Sequence, residues 1–376
     1  MEFSQVYSKV NVLEASKERI SFIFDNFNSV IVSVSGGKDS TVLAYLALQE
    51  AIKRNRKVGL FFLDEEVVYD STIEQIQYLM NLHPENTVRL WYQIPFYLTN
   101  STSLKEGQLI AWEKGKHEIW MRPKVDFSIK VREWSEESQT IRNKNKGFGF
   151  YDVIENFERA HPNTAFLVGL RATESPNRWR AVSKNPVYIN DKPIFWATEK
   201  ENNSISAYPL YDWNFTDIWR YIKQENIRYS KVYDRLFKMG VPVSEIRVSS
   251  LIHEKSFKAL TDLPAIEPST YDRLLKRIKG IALAQETARN NKLFKARKLP
   301  KNHASWQDYR DHLLKTHPDE KAKHIFEIRF SKQYSNEYVA RQQVRQLLLN
   351  DYENNLPIEN KLDPREEKLN YYRSIL

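Results

Sequence analysis

A run of β-branched residues that ends in two glycines, a lysine, an acid and a hydroxyl leaves a chain few ways to fold, and residues 30–41 read VIVSVSGGKDST. Residues 30–34 suit a buried strand and residues 41–53 (TVLAYLALQEAIK) suit a helix, so Ser35, Gly36, Gly37, Lys38, Asp39 and Ser40 occupy a strand-to-helix turn. Such turns bind anions. Glycine permits positive φ and close approach of the backbone, the first helical amides lack internal acceptors, and the helix dipole favours negative charge. The spacing excludes two commoner phosphate loops. A Walker A loop needs four residues between its first glycine and Gly-Lys-Ser/Thr, a dinucleotide fingerprint needs G-x-G-x-x-G, and neither is present here.

A βα alternation continues beyond the turn. Residues 57–64 (KVGLFFLD) and 87–94 (TVRLWYQI) read as strands, and residues 71–82 place Ile73, Ile76, Leu79 and Met80 on one helical face. This predicts an α/β fold with a doubly wound, mainly parallel sheet, whose ligands bind beyond the carboxyl ends of the strands. Asp64 stands at such an end and is expected either to contact a nucleotide or magnesium or to be a solvated loop acid. Residues 95–146 are irregular and read as an insertion or cap. Its Trp112, Trp120 and Trp134 either stack on a base or anchor a small core. Lys146 to Phe150 (KGFGF) opens like the RNP1 strand of an RNA-binding module, but the residues that follow (YDVIE) read as the start of a helix.

Composition excludes several chemistries. The chain has 376 residues, 41% hydrophobic and 28% charged, the balance of a soluble globular protein. No basic segment followed by an apolar core opens it and no long apolar run follows, so a cytoplasmic protein without membrane contact is expected. With no cysteine, thiolate catalysis, disulfides, iron–sulfur ligation and Cys-based zinc sites are closed to it. His303, His312, His317 and His324 share one stretch, but no two stand four residues apart. The formal charge of +9 favours polyanionic partners. Between Tyr271 and Lys301 there are ten Lys or Arg residues against two acids, which reads as either a nucleic-acid surface or solvated helix faces. The expected division is residues 1–262 for the α/β domain and 263–376 for a basic, mainly helical region, with a polar tail at 351–368.

Three blocks together resemble one family. Ser35 to Ser40 (SGGKDS) resembles the pyrophosphate loop, or PP-loop, of ATP pyrophosphatases and of enzymes that reduce phosphoadenosine phosphosulfate (PAPS). Residues 169–178 (GLRATESPNR) resemble the Gly-x-Arg-x-x-Glu-Ser block of PAPS-reductase-like proteins. Residues 207–222 (AYPLYDWNFTDIWRYI) are similar to their Pro-Leu-x-Asp-Trp-x-x-x-Asp-Ile-Trp block. Residues 232–246 and 299–320 are similar to an extended branch of the family that includes the immunoglobulin-binding regulator A protein. The resemblance implies a PP-loop (HUP-like) fold, ATP or a related nucleotide such as PAPS with Mg²⁺, and a ParB/sulfiredoxin-like protein partner.

Residue by residue, it implies that Lys38 and the loop amides steady a leaving pyrophosphate and that Asp39 helps hold Mg²⁺. Ser35, Ser40 and Thr41 would bind phosphate oxygens. Arg171, with Glu174 and Arg178 nearby, would steady the α-phosphate or the acceptor, a role that suits the planar guanidinium fork. Arg180 is a further basic candidate or a solvated face. Ile218, Trp219 and Ile222 recur at helical spacing after Asn214 and read as core, while Asp212 is either a helix cap or the holder of an active-site arginine. One departure matters. PAPS reductases attack with a cysteine near their C-terminus, whereas residues 246–250 here read IRVSS, and serine cannot replace a thiolate that later leaves as a disulfide. The expected activity is therefore an ATP pyrophosphatase or adenylyltransferase cleaving the α–β bond. A non-catalytic ATP- or PAPS-binding regulator is the alternative, and a reductase using external thiols is a third reading.

Overall fold

The computed structural model describes residues 9–102, 107–131, 148–183, 185–243, 246–248, 250–252, 259–282, 299–333, 335–348, 350–351, 371–372 and 374–375. Helix α1 (Val12–Asn26) precedes β1 (Ser29–Ser33), after which α2 (Lys38–Lys53), β2 (Val58–Leu63), α3 (Asp70–Asn81) and β3 (Thr87–Tyr92) alternate. A hairpin of β4 (Phe96–Thr99) and β5 (Gln108–Ala111) follows, then α4 (Phe150–Ala160), β6 (Thr164–Val168) and α5 (Pro176–Val182). Short strands β7 (Val187–Ile189), β8 (Lys192–Ile194), β9 (Ala197–Glu199) and β10 (Ile205–Ala207) lead to α6 (Phe215–Gln224) and α7 (Val232–Lys238). The last described helices are α8 (Ala259–Ile266), α9 (Pro268–Arg277), α10 (Trp306–Lys315), α11 (Glu320–Phe330) and α12 (Glu337–Leu348).

The main sheet runs β3-β2-β1-β6-β10-β9 and is parallel except at its β9 edge. From β1 the chain winds outward through β2 to β3, then returns to pair β6 on the other side of β1. The topological switch point, where such sheets bind ligands, therefore lies between the carboxyl ends of β1 and β6. Both faces of the sheet are covered. Val30, Val32, Leu60 and Phe62 join the layer built with α1, α2 and α6, whereas Ile31, Phe61 and Leu63 join the opposite layer with Trp112 and Phe157. Alternation with apolar residues on both sides is why β2 reads as an unbroken hydrophobic run.

Within the insertion, Trp112 is fully buried and Trp120 meets it edge-on at 5.4 Å, so these two anchor a core; Trp134 lies outside the described residues. Ile129 pairs with Tyr92 at the β3 edge. Phe150 opens α4, the helix expected there, while Lys146 and Gly147 lie outside the described residues. The division expected after residue 262 falls inside α8. Leu260, Leu263, Ile266 and Leu274 pack into the same layer as Tyr92 and Phe157, while a separate small core of Ala322, Phe326, Phe330 and Leu347 holds the last helices.

Asp64 corrects an expectation. Of its two expected parts it does not play the solvated loop acid, because it is fully buried and both carboxylate oxygens are engaged within the protein. Its Oδ2 accepts from Trp91 Nε1 and Gln93 Nε2, each at 2.9 Å, and its Oδ1 accepts from the Glu66 amide at 2.9 Å and from Arg122. Glu66, also fully buried, accepts from the Trp112 amide at 2.6 Å and from Arg277 Nε at 2.6 Å. Arg273 likewise pairs with Asp70. Of the ten basic residues counted between Tyr271 and Lys301, Arg277 is buried and Arg273 half-buried, and residues 283–298 lie outside the described residues. Buried ions survive only where charge and lone pairs are both matched. This network ties the β2 end to the insertion and to α9. Asp64→Ala is expected to lower stability by about 3–5 kcal/mol, read as a fall in the urea midpoint; near-parent stability with loss of nucleotide binding would reverse the assignment.

Candidate functional site

At the end of β1 the Val34 amide donates to the Phe61 carbonyl at 2.8 Å, and the chain then turns into α2. That helix begins at Lys38, earlier than the expected Thr41, so Lys38, Asp39 and Ser40 form its first turn. Only one of the two glycines needs the left-handed region. Gly36 has φ +70°, and a Cβ there would stand 2.6 Å from Thr72 Cγ2 and 3.1 Å from the Thr72 carbonyl oxygen. Gly37, the N-cap residue, has an ordinary φ of −76°. Ser40 closes the turn: its hydroxyl donates to the Gly37 carbonyl at 3.0 Å and accepts from the Ser35 amide at 3.1 Å, with Ser35 Oγ also 3.1 Å away. Thr41 is fully buried, and its hydroxyl has no partner among the described residues. Ser35 is the loop hydroxyl left half-exposed.

The charges of the first turn reach across the switch point. Lys38 Nζ lies 2.7 Å from Asp39 Oδ2, and Arg171 Nε lies 2.5 Å from Asp39 Oδ1. Arg171 also meets Glu174 at 2.9 Å, and Glu174 pairs with Arg178. Burial raises the Asp39 carboxyl, but Lys38 and then Arg171 outweigh it and hold the group below its ordinary range. Three cations thus alternate with two carboxylates, leaving one positive charge in excess. Arg171 stands three residues past the end of β6 and is buried, whereas Arg178 is exposed and Arg180, also exposed, bonds Asn177 at 2.8 Å. Gly169 makes the approach feasible. A Cβ there would lie 2.9 Å from the Ser40 amide nitrogen and 3.0 Å from the Asp39 carbonyl carbon, so any side chain would push β6 away from α2.

An aromatic wall that sequence reasoning missed stands behind Lys38. Its ammonium sits 5.4 Å from the Phe215 ring centroid and 5.8 Å from that of Tyr233. The Lys38 amide, the first of α2, donates to the Tyr233 hydroxyl at 3.0 Å, while the N-cap residue Gly37 has no side chain to add a cap. Trp219 packs edge-on against Tyr229 and Tyr233 at 5.0 and 5.3 Å, while Ile218 and Ile222 are buried core as expected. Asp212 plays neither expected part. Both its oxygens receive Arg19 of α1, at 2.8 and 2.7 Å, and Asn214 with Asp217 forms the capping box of α6.

A second carboxylate comes into view at the β2 end. Val248 closes over the loop, 3.4 Å from where a Gly37 Cβ would stand, and Ser250, two residues on, hydrogen-bonds Glu65. Burial pushes the Glu65 carboxyl up to about 7; the Ser250 bond opposes this and Asp64 adds to it. Asp64, Glu65 and Glu66 are neighbours in sequence, yet among the described residues Glu65 alone of the three has no cation, and composition carries no trace of that difference.

Residues 29–239 match the family model described as the phosphoadenosine phosphosulfate reductase domain. The chain belongs to that family. Residues 240–362 match a second model, domain of unknown function (DUF3440). The uncharacterized protein YbdN of Escherichia coli (strain K12) is 27% identical over 335 residues, covering 86% of this chain and 80% of that protein. Adenosine 5'-phosphosulfate reductase 2 of Bacillus subtilis (strain 168) is 32% identical over 207 residues, covering 55% of this chain and 67% of that one. Among solved structures, the phosphoadenylyl-sulfate reductase of Candida auris in a phosphate complex aligns with a TM-score of 0.31 at 14% identity, covering 61% of this chain and 93% of that one. The family match over residues 29–239, together with the parallel sheet and the loop after β1, makes this the PP-loop nucleotide-binding fold of PAPS-reductase-like proteins. Among the described residues no helix is long and apolar enough to cross a membrane.

The Glu65 assignment has a pH signature. An ordinary carboxyl of this kind titrates at 4.5, so between about 4.5 and about 7 the folded chain holds this proton more tightly than the unfolded one, and stability falls as pH rises through that window. Glu65→Gln cannot ionise. Its melting temperature relative to the parent is expected to climb from pH 4.5 to pH 8, and a constant difference across that range would contradict the shifted carboxyl.

Proposed function

We propose that this protein binds ATP as its magnesium complex and cleaves the bond between the α- and β-phosphates, passing AMP to an acceptor and releasing pyrophosphate. One observation carries the reading: the N-terminus of α2 at the sheet's switch point, whose N-cap residue is glycine, fronted by the alternating row Lys38, Asp39, Arg171, Glu174 and Arg178. The row holds excess positive charge where phosphate charge would develop. On nucleotide binding, Lys38 leaves Asp39 for the departing pyrophosphate, joined by the loop amides and the Ser35 hydroxyl. Arg171, anchored by Asp39 and Glu174, points its fork at the α-phosphate or the acceptor.

The donor set fits magnesium that arrives on the nucleotide. Asp39 offers one carboxylate once Lys38 moves away, which matches an ion held mainly by phosphates and water. Bound there, the metal would spread the phosphate charge. Ser40 and Thr41 fit the loop's framework better than direct phosphate contact, since one hydroxyl is committed within the turn and the other is buried. A reductase activity would need thiols from another molecule, because this chain has none.

A nucleotide-binding regulator is the second reading, favoured by the closure of both Lys38 and Arg171 on Asp39, which leaves both loop-facing cations already paired at rest. A ParB/sulfiredoxin-like protein is the proposed partner, by family resemblance, and a nucleic acid is a further proposed ligand of the basic C-terminal segment. The deciding measurement is AMP and pyrophosphate formed from ATP and Mg²⁺, with and without that partner. Turnover is expected, reduced by about 100-fold or more in Lys38→Ala. Tight ATP binding without turnover under every condition would reject the enzyme in favour of the regulator.

A further inference from the structure

The Tyr233 hydroxyl stands where the first free amide of α2 would otherwise meet a ligand. It accepts from the Lys38 N–H at 3.0 Å and lies 3.5 Å from where a Cβ on Gly37 would be. That bond uses an oxygen lone pair and leaves the hydroxyl proton to be given elsewhere. Among the described residues nothing accepts it. The nearby carboxylates of Asp39 and Glu174 are already held by Lys38, Arg171 and Arg178. Tyr233 is only 6% exposed, so bulk water does not readily serve as the missing acceptor.

We propose that Tyr233 is a hydrogen-bond donor of the cradle, giving its proton to a phosphoryl oxygen of a bound di- or triphosphate at the N-terminus of α2. Several features support an anionic oxygen as the acceptor. The helix dipole, Lys38 and Arg171 make the space electropositive. Burial, and then the Asp39 charge, push the phenol far above its ordinary range, so the group stays protonated and remains a donor throughout the physiological pH range. The ring is held by Trp219 and Tyr229, which fixes the direction of the hydroxyl before any ligand arrives. A hydroxyl bonded on one side to the loop amide and on the other to phosphate would report occupancy of the loop to α7, on which Tyr233 sits.

This inference rests on the reading of the loop as a phosphate site, and the test separates the two. Binding of inorganic pyrophosphate, ATP and adenosine is measured by calorimetry for the parent and for Tyr233→Phe, which keeps the ring contacts. The variant leaves the Lys38 amide without its acceptor, so it is expected to melt somewhat below the parent without ligand and to bind pyrophosphate and ATP roughly ten-fold more weakly, the size of a lost bond to a charged acceptor. Equal or tighter pyrophosphate binding would make the hydroxyl a plug or a packing group and overturn the proposal. An equal loss of adenosine affinity would mark a packing defect and overturn it as well. A parent that binds neither pyrophosphate nor ATP overturns this inference together with the phosphate reading. Should the variant fold poorly, 3-fluorotyrosine placed at 233 gives an independent readout: its ¹⁹F resonance is expected to shift with pyrophosphate, and an unmoved resonance overturns the assignment.

Discussion

The whole site depends on one close approach, that of the first turn of α2 to the end of β6. Gly169 has no side chain where a Cβ would sit 2.9 Å from the Ser40 nitrogen. The backbone of β6 can therefore lie against the helix terminus, and Arg171, two residues on, reaches Asp39 at 2.5 Å. Parallel pairing of β1 with β6 sets this distance. The pairing exists because the chain reverses its winding direction at that edge of β1, and the same reversal opens the crevice in which a ligand would sit.

Electrostatics divides the molecule into a frame and a site. At the end of β2, Asp64 and Glu66 are fully buried, and their oxygens are matched by guanidinium, amide and indole donors. Such matching holds segments far apart in sequence, and the Glu66–Arg277 pair spans 211 positions. The row from Lys38 to Arg178 differs. It is partly exposed at Arg178, carries one positive charge in excess and ends on a helix N-terminus whose N-cap residue is glycine, an arrangement suited to an added anion. Glu65 belongs to neither arrangement: it is half-buried and, among the described residues, without a cation.

Much of this was legible from local patterns. The strands β1, β2, β3 and β6 followed from β-branched runs, and the turn at Ser35 to Ser40 from residue types that only a phosphate loop combines. Arg171 followed from its place after a predicted strand. The core role of Ile218 and Ile222 was readable from helical period. Asp64 was not legible, because its partners Trp91, Gln93 and Arg122 are brought to it only by folding, and an acid at a strand end looks the same whether it is solvated or saturated. Tyr233 and Phe215 were missed for a related reason: an aromatic on an amphipathic helix signals burial but not what it is buried against.

The sequence by itself therefore determined the layered α/β plan, the position of the phosphate loop and the exclusion of cysteine chemistry, since each rests on local periodicity, local backbone freedom or simple absence of a residue type. Only the tertiary structure decided which ionisable groups are frame and which are site. A carboxylate's role is set by the donors and the depth of burial around it, and those come from residues scores to hundreds of positions away that meet only when the sheet closes.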